Sequence, residues 1–485
     1  MKCVIYIAYE QVGFFVSLAK LLGNNHEVAF LAEDKIVAGV IYKHLPNADI
    51  IINDFASSDQ QTTNVLGRSI DLERRYKVRL SKIMSEERGL GRGYLFNVDR
   101  YPMVAKAWWP HERKLSTVIS RFKNAELVLD QFKPDCIICW RNNPVFFTVA
   151  SHRGLTSFSL APIKLGERFI WAEDTFLTSP GLVSSLRKNL EKNIGDLQPV
   201  ESYDLEAGTK LRMAQTRYTW IPAIKTTLHQ IAIEIYRVMR GTRKKDRYSF
   251  MGWVPVILRQ PVAYSHFCKF GVSPSKLMGK RICFIPLHLE PEITLLSVSP
   301  EFNNSLEMIS WISKAAPADV ILVIKENPIS FGVRSRWYYD QLRQISNVEL
   351  ADPNISSWDW IEAASLVATI TGTAGTEAVI FRKPVLSFGE HQAINALPTV
   401  RFANNYRSTV LGLNELLDMD PKDNHFELSR RAFYAAQIET SFELTGFWKI
   451  NESLESHDEI AAIASHHLDQ RLKQVSKRPP RIVNE

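Results

Sequence analysis

Cysteine is scarce in this chain, and its pattern does not suit a covalent framework. Five cysteines (Cys3, Cys136, Cys139, Cys268 and Cys283) are spread over 485 residues. An odd number at such spacing argues against a disulfide scaffold. Cys136 and Cys139 form a C-x-x-C, but residues 134–140 (PDCIICW) read as a buried strand, with no second cysteine pair or Cys/His set nearby. Buried thiols are expected there, not a metal or redox pair. No apolar run reaches the ~18 residues of a membrane span. The start of the chain holds one lysine and then a strand-like run without a small-residue cleavage site, so no signal peptide is expected and the chain reads as cytoplasmic. No Asp-x-Asp closes a strand, so nothing calls for a metal.

Charge of one sign is also in short supply. There are 59 Lys+Arg against 52 Asp+Glu, a net +7. With no basic stripe and no recognition motif, nucleic acid is not expected as a partner. The excess is local: residues 68–92, 240–247 and 471–485 carry it, and the rest of the chain is net acidic. The segment 240–247 (RGTRKKDR), followed by Tyr248, Phe250 and Trp253, suits anionic lipid headgroups, which gives an expectation of peripheral contact with the inner face of the cell membrane. Hydrophobic residues at 45% and charged residues at 23% exclude disordered, collagenous and low-complexity classes. The length corresponds to about three domain-lengths.

Short apolar runs alternate with helical patterns. Strands are expected at 3–8, 26–31, 48–52, 135–140 and 156–160, with helices at 13–22 and 143–153 and a long helical stretch over 68–130. The rhythm lapses between 175 and 275, where helical patterns dominate. It returns with strands at 281–286, 319–325, 348–350, 366–371 and 384–388, separated by helices at 305–316, 335–345, 357–364 and 375–381. Such alternation predicts doubly wound parallel sheets. The expected fold is α/β, with two Rossmann-like domains. The segments read as an N-terminal Rossmann-like domain (1–175), a mainly helical insertion or linker (176–279), a C-terminal Rossmann-like domain (280–424), and C-terminal helices with a basic tail (425–485).

In open α/β sheets, ligands bind beyond the carboxyl ends of the strands, so the loops there carry the chemistry. The run Thr371, Gly372, Thr373, Ala374, Gly375, Thr376, Glu377 follows a buried strand and opens a helix. Its glycines admit close backbone approach, and a helix start favours an anion. Phosphate would meet N–H groups and threonine hydroxyls, and Glu377 would take ribose hydroxyls. The same run also serves as a plain strand–helix turn. It is neither a Walker A loop nor a G-x-G-x-x-G. A second loop holds Lys325, Glu326, Asn327 and Pro328, with Arg334 beyond, as candidate phosphate or base contacts. A third holds His288, Glu290 and Glu292, suited to acid/base work or to sugar hydroxyls. In the first domain, Glu10 is the candidate general base, and Arg141, Asn142 and Arg168 are candidate acceptor contacts.

Three ordered stretches carry a resemblance: FIPLHLEPEITL, VIKENPISFGVRSRWYYDQLRQISNVELADP and VATITGTAGTEAVIFRKPVLSFGEH. Together they resemble the capsule polysaccharide biosynthesis family, which includes the Kdo transferases of capsule assembly. The resemblance covers about 280–400. It implies GT-B architecture and a nucleotide-sugar donor, CMP-activated Kdo in known members, held by the C-terminal domain. By position it carries over His288, Glu290 and Glu292, then Lys325 to Pro328, then Thr371 to Gly375 with Glu377. The family commonly has His-Pro where this chain has Asn327-Pro328, and Asn cannot carry charge.

The leading expectation is a glycosyltransferase. It would use a CMP- or UDP-linked donor as substrate, with no separate cofactor, and act on a glycan or glycolipid acceptor of capsule or lipopolysaccharide assembly. A UDP-sugar 2-epimerase shares the two-domain plan and is the second reading. A non-catalytic scaffold of the capsule machinery is the third.

Overall fold

The computed structural model describes residues 1–485 except 8–10, 53–63, 88, 92–99, 101, 103–104, 141–142, 174–175, 177–178, 201–217, 240–249, 291–292, 451–456 and 476–485. Thirteen strands run through the described residues: β1 Lys2–Ile7, β2 Glu27–Ala32, β3 Asp49–Ile52, β4 Cys136–Trp140, β5 Thr156–Pro162, β6 Arg168–Ala172, β7 Arg281–Pro286, β8 Val320–Lys325, β9 Val348–Leu350, β10 Leu366–Thr369, β11 Val385–Ser387, β12 Val400–Phe402 and β13 Phe442–Glu443. They form two sheets in two compact units. One unit comprises 1–84, 110–185 and 436–485, and the other 85–109 and 186–435.

The first sheet has the order β13-β6-β5-β4-β1-β2-β3. From β5 to β3 it is parallel, and β6 and β13 are antiparallel additions. Central strands such as β4 (CIICW) are buried throughout, which is what helices on both faces require. The two cysteines of β4 do not share a partner. Cys136 Sγ lies 3.3 Å from Cys3 Sγ on β1, and Cys139 Sγ lies 3.2 Å from Ser159 Oγ on β5. The expected buried thiols are found, and neither forms a disulfide.

The second sheet has the order β12-β11-β10-β7-β8-β9 and is parallel throughout. The sequence departs from β7 in one direction through β8 and β9, then returns to the other side of β7 for β10, β11 and β12. The switch point lies between β7 and β10, where such sheets bind ligands. The α/β class expected from the sequence, with two Rossmann-like units, is the one observed.

The units are divided differently from the four segments read in the sequence. The C-terminal stretch returns to the first unit. Phe442 on β13 pairs with Phe169 on β6, and the Asp458–Val475 helix packs on the Val12–Leu22 helix. Ala461, Ala464, Leu468 and Leu472 supply the reason, because their three- and four-residue spacing forms one apolar face within the first unit's core. Residues 186–279 join the second unit, where Phe267 of the Phe250–Phe270 helix lies in the core beside Phe331 and Tyr339. No helix of the described residues is long and apolar enough to cross a membrane.

Candidate active site at the switch point of the second sheet

β7 and β10 pair only at Cys283–Leu366 and Phe284–Val367, and beyond that the strands part. His288 closes the gap. Its Nε2 accepts the N–H of Ile370 at 3.1 Å and that of Thr371 at 3.4 Å. An imidazole nitrogen that accepts N–H groups carries no proton, so the ring proton is on Nδ1. This contact also explains why β10 stops at Thr369, two residues before the sequence suggested. The next two N–H groups face a side chain instead of a strand.

The 371–377 turn follows directly. Gly372 stands at the N-cap of the Thr373–Ile380 helix, its N–H bonded to Thr369 Oγ1 at 3.0 Å, and a glycine there brings no capping side chain of its own. The position needs glycine, since a Cβ there would lie 2.8 Å from Thr369 Oγ1 and 3.0 Å from His288 Cε1. Thr373 is exposed, while Thr371, Ala374, Gly375, Thr376 and Glu377 are buried. Gln392 supports the turn from below, donating to the carbonyl of Ile370 and to Ser387 Oγ. The sequence reading missed Gln392. Its signal was the polar residue immediately after the FGEH run at 388–391.

Beneath these loops lies a buried ionic cluster. The Arg334 side chain is fully buried. Its Nη1 donates to Glu326 Oε1 at 2.6 Å, and its Nη2 donates to the His288 carbonyl at 2.8 Å and lies 3.3 Å from Glu290 Oε1. Glu326 Oε2 accepts the Tyr339 hydroxyl at 2.7 Å, and Glu290 Oε1 accepts the Ser305 hydroxyl at 3.2 Å. Burial raises the Glu290 carboxyl above its usual range, with the Arg334 guanidinium opposing. The cluster joins the loops after β7 and β8 through paired, hydrogen-bonded charges, the form in which buried charge is tolerated. Gly332, at φ +81°, makes the turn that delivers Arg334. A Cβ there would sit 2.5 Å from the Val256 carbonyl.

Lys325 ends β8 and is also buried. Its Nζ donates to the carbonyls of Ile355 at 2.7 Å and Pro353 at 3.4 Å. Burial lowers its ammonium to about 8, against the opposing pull of Asp352 and Asp359. Asn327 caps the short Pro328–Ser330 turn, accepting the N–H of Ile329 at 3.1 Å, a service that needs no charge.

His288, Glu290, Glu326 and Arg334 are thus brought together with the turn that begins at Thr371. Glu292 lies outside the described residues, as do Glu10, Arg141 and Asn142. Arg168 is placed elsewhere in the first unit. Its Nε donates to Ser441 Oγ at 2.8 Å and its Nη2 to the Ser441 carbonyl at 3.0 Å, fastening β6 to the segment that leads into β13. Among the described residues, one set has metal-ligand spacing. Glu301, Glu390 and His391 offer ligand atoms within 4.8 Å of one another, with both carboxylates exposed and His391 Nε2 3.5 Å from Glu301 Oε2.

The strand order and the switch point define this unit as a Rossmann-like α/β sheet with a glycine-led helix start at the switch point. Residues 223–400 match the family model described as capsule polysaccharide biosynthesis protein, which confirms the resemblance carried by the three motifs. No curated protein matches the chain. Similar solved structures include KpsC, the β-Kdo 2,7 transferase of Thermosulfurimonas dismutans (12% identity, 72% of this chain, 90% of that one, TM-score 0.33). They also include the UDP-GlcNAc 2-epimerase of Methanocaldococcus jannaschii (11% identity, 90% of this chain, 99% of that one, TM-score 0.26).

Proposed function

We propose that this chain is a nucleotide-sugar-dependent glycosyltransferase that extends a surface polysaccharide or a lipid-linked acceptor in capsule or lipopolysaccharide assembly. A Kdo-type sugar carried on CMP is the first donor to test. The family match over 223–400 supports the biosynthetic context. The observation that carries the reading is the start of the Thr373–Ile380 helix. It lies at the switch point with a glycine as its N-cap, one that His288 and Thr369 leave no room to replace. Helix N–H groups there suit a phosphate.

In this reading the donor phosphate lies on the first turn of that helix, with the hydroxyl of Thr373 beside it. Glu377 serves the ribose. Lys325 and the N–H groups meet the charge that grows on the leaving phosphate, and metal-independent transfer is part of the same proposal. His288, Glu290, Glu326 and Arg334 position the loops. Acceptor binding belongs to the first unit, and Glu10 or Glu292 is assigned the acceptor's proton.

A thermal-shift screen with CMP, UDP, GDP and dTDP tests the donor site, and the nucleotide that raises the melting temperature selects the donor class. A chain that responds to none of them is a scaffold, not a transferase. Turnover of UDP-GlcNAc without an acceptor would establish the epimerase.

A further inference from the structure

The Trp220–Met239 helix has its polarity reversed for a helix on a protein surface. Ile221, Ile224, Leu228, Ile231, Ile235 and Val238 recur at three- and four-residue spacing along one face, and all are between 37% and 69% exposed. The least exposed residues of the helix are Ala223, Thr227, Gln230, Ile233 and Glu234, mostly small or polar. A helix that serves only its own core places these groups the other way round. The stripe runs the length of the helix, roughly 30 Å. Trp220 at one end and Tyr236 near the other are both more than half exposed, with amphipathic rings suited to the boundary between water and lipid.

We propose that this helix lies in the surface of an anionic membrane, its apolar stripe in the acyl boundary. The charge of the surrounding sequence chooses this occupant over another protein. Residues 237–247 carry Arg237, Arg240, Arg243, Lys244, Lys245 and Arg247 against the single acid Asp246. These cations end the helix and directly follow it in sequence, and anionic headgroups supply the complement that a second copy of the chain, with the same charges, would not. The helix is not apolar enough to span, so it lies on the membrane. The inference is independent of the sugar-transfer reading and holds for an enzyme or for a scaffold.

Flotation of the full chain with phosphatidylcholine vesicles, with and without phosphatidylglycerol, is the test. The chain is expected to float with the anionic vesicles and to be released by salt. The Leu228→Glu/Ile235→Glu variant, altered at exposed positions, is expected to lose binding about tenfold or more at an unchanged melting temperature. Should those glutamates disturb folding, Leu228→Ser/Ile235→Ser gives the same readout. Absence of flotation, or equal flotation of the folded variant, overturns the proposal. So does a wild-type dimer in light scattering that the variant makes monomeric while neither floats, which would assign the face to self-association.

Discussion

His288 Nε2 accepts the backbone N–H of Ile370 at 3.1 Å, so a side chain from the loop after β7 completes the end of β10. His288→Ala leaves that buried N–H without its acceptor and is expected to cost about 2 kcal/mol of stability. His288→Gln, which keeps an acceptor oxygen, should recover part of the loss. Denaturant unfolding of both variants checks this. A catalytic base would show the opposite pattern, with turnover lost in both variants at unchanged stability.

Arg334 separates a positioning role from a ligand role in the same way. Its guanidinium holds Glu326 and Glu290, both buried. Arg334→Met strands two carboxyl groups and is expected to lower stability by about 3–5 kcal/mol. Adding Glu290→Gln and Glu326→Gln to the same chain should restore much of it. An affinity loss for nucleotide at unchanged unfolding midpoint would instead make Arg334 a phosphate ligand.

The fold was legible because the second sheet is parallel throughout and the first is parallel from β5 to β3, so their central strands are continuous apolar runs set apart by helices. The turn beginning at Thr371 was legible because glycines and a helix start are local signals. The roles of Arg334 and Glu326 were not. Eight residues apart in sequence, they meet face to face only because Gly332 turns the chain, and burial is invisible in a charged loop. The return of 436–485 to the first unit was hidden for a related reason. An apolar helix face shows that a partner exists without showing which one.

Gly372→Ala and Glu377→Ala probe the donor turn. The added methyl in Gly372→Ala meets Thr369 Oγ1 and His288 Cε1, and is expected to cost about 1–3 kcal/mol and to weaken nucleotide binding with it. Glu377→Ala is expected to weaken nucleotide binding about tenfold, the loss of one charged hydrogen bond. Calorimetry with the nucleotide chosen by the thermal-shift screen reads both. Unchanged affinity in Glu377→Ala would remove Glu377 from the site.

Lys325 gives a pH signature. Burial holds its folded-state ammonium at about 8, below the ordinary 10.5. Between those values the folded chain has released the proton while the unfolded chain still binds it, so stability rises with pH through this window. Relative to Lys325→Met, the wild type should gain up to about 3 kcal/mol as pH climbs from about 8 to 10.5. Below about 8 the charged ammonium carries its full burial penalty, and the difference should be flat. Paired unfolding curves across this range read the effect, and parallel curves would place Lys325 in water. Turnover should move the other way, because a neutral amine no longer meets the charge of a leaving phosphate. Wild-type turnover should therefore fall above about pH 8, and a wild-type rate as flat as that of Lys325→Met across the window would take Lys325 out of the reaction.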